Sequence, residues 1–314
     1  METRQVGASG LLVPTLGLGT MTWGTTTDVH EAGAILTEFL DAGGRLVDVA
    51  RWHGSAVAEE MLGTLLEASV SRSDVVLSVT GAWRQTTDGT ERDSSRGGLL
   101  GSLDASLDRL GTDHVDLFVV TGPDGTTSWH ETVSALDIAV STGRAHYVGV
   151  SGVNAWQAVR AATLLESRGL ALTAVSAELS LLRREDELEH EESNVEIGAG
   201  LIGWSPLGRG VLTGKYRRTV PADSRAADPA LAPYVDELLN DRCAGIVEAV
   251  VTASQGLGLT PTQLSLAWSL TRPGAAATVV GPRTVAQLRD ALAVEDVALP
   301  ETVVEVLDEV SSPL

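Results

Sequence analysis

HVDLFVVTGPDGTTSWHETVSALDIAVSTGRAHYVGVS (114–151) contains the unit on which the fold reading turns. It opens on a short apolar run, HVDLFVVT (114–121), and closes on another, HYVGVS (146–151). Between them Glu131 to Ser141 repeats its apolar residues at helical spacing. A strand buried on both faces reads as a continuous apolar run, because helices cover its outer side. The same alternation extends in both directions. Further runs are TLGLGT (15–20), RLVDVA (45–50), DVVLSVT (74–80), LTAVSA (172–177), GLIGW (200–204) and ATVVG (277–281). Helical periodicity covers Val29 to Ala42, Ala56 to Ala68, Arg96 to Leu110, Trp156 to Arg168 and Val235 to Ser254. Eight β/α units in about 300 residues fit a (β/α)8 TIM barrel better than a doubly wound sheet. RQVGASGLLV, just before Thr15, reads as a small hairpin across the barrel floor. No linker or low-complexity segment divides the chain, so residues 1–314 are expected to form a single α/β domain.

Composition narrows the partners. The 314 residues carry 22 Lys+Arg against 42 Asp+Glu, a net charge of −20. That balance argues against a nucleic-acid or anionic-membrane partner, since both require clustered cations. It leaves room for a small local anion site. The single cysteine, Cys243, excludes an internal disulfide framework and reads as a core residue. With no signal-like start and no run long enough to span a bilayer, a cytoplasmic location is expected. The acidic stretch REDELEHEES (184–193) reads as a solvated helix start. His114, His130, His146 and His190 are scattered without metal-ligand spacing, so no metal is expected.

In a barrel, chemistry concentrates where strands end at the C-terminal face. There the chain resembles the aldo-keto reductase family almost throughout its length. The matching motifs are GLGTMTWG (17–24), Gly-Gly-x-x-x-Asp-x-Ala with Gly54 (43–54), SSR (94–96) and SLDRLGTDHVDLF (106–118). They continue with ETVSALDIAVSTGRAHYVGVS (131–151), WSPLGRGVLTGKY (204–216) and GPRTVAQL (281–288). The resemblance implies NADP(H) lying across the barrel mouth, hydride transfer to a small carbonyl or alcohol, and four catalytic positions.

Of those four, the Asp is Asp48, the Tyr position holds His53, the Lys is Thr80 and the His is Thr121. A Tyr is a useful acid only when a neighbouring Lys⁺ lowers its pKa, and both are replaced here. His53 titrates near neutrality without such help, so an Asp48–His53 pair is one reading and a solvated relic is the other. On the cofactor side the resemblance implies roles for Gly19, Thr20, Ser151, Ser176, Trp204, Ser205, Leu207, Gly208, Lys215, Gly281, Arg283, Thr284 and Gln287. It places Trp204 on the nicotinamide and Arg283 at the adenosine 2′-phosphate. Gly152, Ser176 and Ala291 stand where the family has Asn, Gln and Asn. Trp23, Trp52 and Trp83 fall in loops where the family builds its substrate pocket, with core packing as the alternative. Three functions remain open: a reductase with a rebuilt acid, a non-redox acid/base enzyme (dehydratase, isomerase or cyclase), and an inactive NADPH-binding protein.

Overall fold

The computed structural model describes residues 1–50, 56–86, 89–222, 224–229 and 231–313. An antiparallel hairpin, β1 (Thr3–Gln5) and β2 (Leu12–Pro14), precedes the first barrel strand, β3 (Leu16–Gly19). The chain continues through α1 (Val29–Asp41), β4 (Leu46–Ala50), α2 (Val57–Ser69) and β5 (Val76–Gly81). A second hairpin follows, β6 (Trp83–Thr86) and β7 (Gly89–Arg92), then α3 (Arg96–Leu110), β8 (Val115–Thr121) and α4 (Trp129–Ser141). Next come β9 (Ala145–Ser151), α5 (Ala155–Glu166), β10 (Ala174–Glu178), α6 (Glu185–Ile197) and β11 (Gly200–Trp204). The last third holds α7 (Ala232–Asp236), α8 (Asp241–Leu257), α9 (Pro261–Leu270), β12 (Ala275–Val280), α10 (Val285–Leu292) and α11 (Glu301–Ser311).

β3, β4, β5, β8, β9, β10, β11 and β12 form a closed barrel in that order. Every pairing is parallel, and Thr278–Val280 closes the ring against Leu16–Leu18. This is the expected (β/α)8 barrel. Inside it Leu46, Leu117, Val119, Ile202 and Ala277 pack together, and Val6, Leu11 and Val13 of the first hairpin join them as a floor. Helix starts follow local chemistry. Asp28 accepts hydrogen bonds from the His30 and Glu31 amides ahead of α1, and Thr260 forms a capping box with Gln263 ahead of α9.

Three expectations change. The stretch 235–254 is not one helix: α7 ends at Asp236, and Asn240 restarts the chain by capping the Cys243 amide. Trp83–Thr86 pairs antiparallel with Gly89–Arg92 where a loop was expected. The acidic stretch is solvated on one face only, for Arg184, Glu187 and His190 of the other face are buried. Arg184 binds Glu187 at 3.1 Å and reaches Asp308 and Ser311 of α11, while Arg272 binds Asp308 at 2.8 Å. Both guanidiniums sit against the Trp268 ring, at 5.2 and 4.5 Å from its centroid. Cys243 is buried, as expected.

Among the described residues no single helix is long and apolar enough to cross a membrane. Two helical glycines make a test of the packing. A Cβ on Gly63 of α2 would lie 2.2 Å from the Arg109 carbonyl oxygen of α3, whereas one on Gly101 of α3 meets nothing within 4 Å. Gly63→Ala should therefore destabilise the fold by about 1–3 kcal/mol. Gly101→Ala should stabilise it by about 0.5–1 kcal/mol through helix propensity alone. Urea melts of the two variants beside the wild-type chain read both signs.

Candidate active site

A cavity of about 560 Å³ opens at the C-terminal ends of the barrel strands. Its floor comes from strand tips. Asp48 of β4, Thr80 of β5, Thr121 of β8, Ser151 of β9 and Ser176 of β10 all line it, with Gly19 of β3 and Trp204 of β11. Strand closure alone gathers these residues.

Asp48 is held from two sides. Its Oδ1 accepts the Ser78 hydroxyl at 2.8 Å, and its backbone carbonyl accepts both the amide and the hydroxyl of Thr20 at 3.1 Å. Thr20 is fully buried and so anchors Asp48 instead of lining the cavity. Burial pushes the Asp48 carboxyl up to about 6, and the Ser78 hydrogen bond only partly opposes it. Thr80 lines the cavity on the neighbouring strand with a neutral hydroxyl, so no cation counters the burial from that position. Thr121 Oγ1 accepts from Trp83 Nε1 at 3.3 Å. Trp83 therefore forms part of the cavity wall. Trp23 does not: its ring is fully buried in the hydrophobic cluster shared by barrel strands and helices. Trp52 and His53 lie outside the described residues.

The opposite wall is the segment 204–215. Ser205, Gly208, Arg209, Gly210 and Gly214 all have positive φ, of 55, 53, 58, 95 and 76°. Two of these are not glycine, an unusual backbone that needs firm support. The support comes from Arg209. It binds Glu178 at the tip of β10 at 2.9 Å, pairs with Glu237, donates to the Tyr234 carbonyl at 2.6 Å and stacks 3.8 Å from the Tyr234 ring centroid. Ser205, Leu207 and Lys215 face the cavity, whereas Gly208 is buried beneath it, where its Cβ would lie 2.7 Å from Leu182.

At the far end Gly281, Arg283 and Gln287 line the cavity. Thr284 instead caps α10 by accepting the Gln287 amide, and Gln287 Oε1 accepts the Arg283 amide at 2.8 Å. Lys215, Arg225 and Arg283 converge here. Burial lowers the pKa of Lys215, and the neighbouring Arg283 and Arg225 lower it further. Arg225 is lowered by burial first and by Arg283 and Arg209 as like charges. Sequence reading missed Arg209, Arg225 and Tyr234. Arg225 lies in an irregular stretch with no periodic signal, and Arg209 sat inside a recognised motif as an unassigned position.

Asp48 supplies a stability test. A carboxyl raised from 3.8 to about 6 contributes stability that is complete below pH about 4 and is lost as pH rises through 6. Asp48→Asn keeps the shape and the acceptor for Ser78 without the buried charge. It should be more stable than the wild type at pH 8 by roughly 1–3 kcal/mol, since the carboxylate still touches the cavity, and show no gain at pH 4. Thermal melts at the two pH values check this, and an equal difference at both would assign the effect to packing.

Residues 15–312 match the family model described as the aldo/keto reductase family. The chain is 31% identical over 320 residues to the uncharacterized oxidoreductase YrpG of Bacillus subtilis (strain 168), covering 99% of this chain and 96% of that protein. It is 32% identical over 317 residues to a probable voltage-gated potassium channel subunit beta of Oryza sativa subsp. japonica, with 99% and 96% covered. A protein of the same description from Arabidopsis thaliana is also 32% identical, over 315 residues, with 99% and 95% covered.

Proposed function

Since this chain belongs to the aldo/keto reductase family of oxidoreductases, we propose that it binds NADP(H) in the cavity at the strand tips and reduces or oxidises a small carbonyl or alcohol there. The observation that carries the reading is the convergence of Lys215, Arg225 and Arg283 inside a chain of net charge −20. Two of these cations are held below their ordinary pKa by burial and by one another. A polyphosphate relieves that crowding, and Arg forks suit phosphate oxygens. The residues therefore fit the dinucleotide.

When bound, the dinucleotide supplies or accepts hydride. The chain's own residues divide the remaining work. Lys215 and Arg225 bind phosphate, Arg283 favours the 2′-phosphate form, and Trp204 offers a flat face at the reacting end. Ser151 and Ser176 supply hydroxyls in place of amides, which orients the ring with fewer hydrogen bonds. A carbonyl that takes hydride at carbon also needs a proton at oxygen. Thr80 and Thr121 are neutral hydroxyls and cannot supply it near neutral pH. Asp48, with a pKa of about 6, can hold that proton, either directly or through His53.

A second reading follows from Thr80 and Thr121 as well. With hydroxyls at both positions, the site would retain the dinucleotide without efficient turnover, or run acid/base chemistry on Asp48 and His53 alone. The cytoplasm is the compartment we assign, consistent with a buried free Cys243.

Quenching of Trp204 fluorescence on titration with NADPH tests the binding. Arg283→Ala should weaken NADPH by about tenfold or more while leaving NADH within a few-fold, in keeping with a lost charge-assisted contact. No saturable quenching by NADPH would defeat the cofactor reading. For the chemistry, His53→Ala and Asp48→Asn should each abolish NADPH consumption against a panel of aldehydes and quinones while keeping NADPH affinity within a few-fold. Product formed without NADPH consumed would move the chain to the non-redox reading.

A further inference from the structure

At the opposite end of the barrel, where β8 and β9 begin, residues distant in sequence come together. Val115 pairs with Ala145 and Leu117 with Tyr147, so Asp116 and His146 stand side by side on neighbouring strands. His114 enters from the residue before β8, and its ring centroid lies 4.5 Å from that of His146 with the planes tilted by 30°. One donor atom from each of His114, Asp116 and His146 falls within 4.8 Å of the others. The geometry points to a binding site for one borderline divalent transition ion, of the Zn2+, Ni2+ or Co2+ class, held by these two imidazoles and one carboxylate.

The surroundings orient His114 and Asp116 as ligands. His114 Nδ1 lies 2.6 Å from Asp113 Oδ1. Donation to that carboxylate leaves Nε2 as the basic atom, the arrangement that ligating histidines adopt. Asp116 Oδ2 is occupied by Arg72 at 2.7 Å and by the Leu77 amide at 2.8 Å. Its Oδ1, 3.7 Å from His146 Nδ1, faces the imidazoles. Arg72 is itself fixed by the carbonyls of Val75 and His114 at 3.0 and 3.1 Å. It therefore holds Asp116 in place without needing Oδ1. With Asp113 and Asp116 against Arg72, these three charged side chains carry a formal charge of −1, which suits a divalent cation. Nitrogen donors select transition ions over Mg2+ and Ca2+. The side chains are 28, 18 and 51% exposed for His114, Asp116 and His146, so the remaining coordination positions are open to water.

An ion there joins the first residues of two adjacent strands on the face away from the cavity. The test uses the full chain, stripped with a chelator that is then removed, and Zn2+ alone as the probe in equilibrium dialysis. One Zn2+ per chain is expected at micromolar concentration, with His114→Ala and His146→Ala each weakening it by about tenfold or more and Asp113→Asn by about tenfold. Zn2+ should raise the melting temperature of the wild type and not that of His146→Ala, whose metal-free melting temperature should match the wild type. Equal Zn2+ affinity in the wild type and His146→Ala would overturn the site, leaving scattered surface carboxylates as the binders. So would the absence of any binding below millimolar Zn2+.

Discussion

The pairing of Thr278–Val280 with Leu16–Leu18 is the constraint from which the rest of the molecule follows. It closes a sheet in which each strand lies beside the next in sequence, all running the same way. Parallel closure puts every strand end on one face and every strand start on the other. Residues as far apart as Gly19 and Gly281 then border one cavity, and no loop has to travel to bring them there. The barrel interior is filled by Leu46, Leu117, Val119 and Ile202 and sealed from below by Val6, Leu11 and Val13, so the cavity has a solid base.

Charge is arranged against the average. The chain is strongly acidic, yet its cavity carries three cations at one end and a carboxyl held near neutrality at the other. The first cluster crowds Lys215, Arg225 and Arg283 as like charges at a buried wall; the second is a carboxyl held by the Ser78 hydroxyl, with no cation among the causes that shift it. Between them stands a loop whose left-handed residues Ser205 and Arg209 would not persist in isolation. Arg209 keeps that loop in shape by reaching Glu178 on the strand beside it and the Tyr234 ring beyond it.

The barrel was legible because buried parallel strands are apolar runs with little else in them. HVDLFVVT and HYVGVS became β8 and β9 within a residue of expectation. The second hairpin was not legible: after Trp83, RQTTDGTER (84–92) is polar, with no apolar face to mark alternation. The break before Asn240 was hidden because Leu238 and Leu239 carry the apolar pattern across it. Acidic residues of α6 looked solvated because one helical turn cannot show which of its charges face Arg184 or α11. Of the residues that line the cavity, those on strand tips were legible by spacing and motif, whereas Arg225 comes from a stretch without either. His114 and His146 were separated in the chain and joined only by the register of two strands.

The bolted loop has a consequence for how a ligand meets the site. Its shape depends on a salt bridge and a stacked ring that the chain itself supplies. A dinucleotide would therefore encounter a standing wall, and the ordering cost of that wall is met at folding rather than at binding. Under the proposed function, selectivity between dinucleotides would be decided at first contact, by which phosphates fit the fixed cations, with little scope for later adjustment. The same rigidity ties occupancy to integrity. Any change that loosens Arg209 alters what the site can hold without touching a residue that holds it.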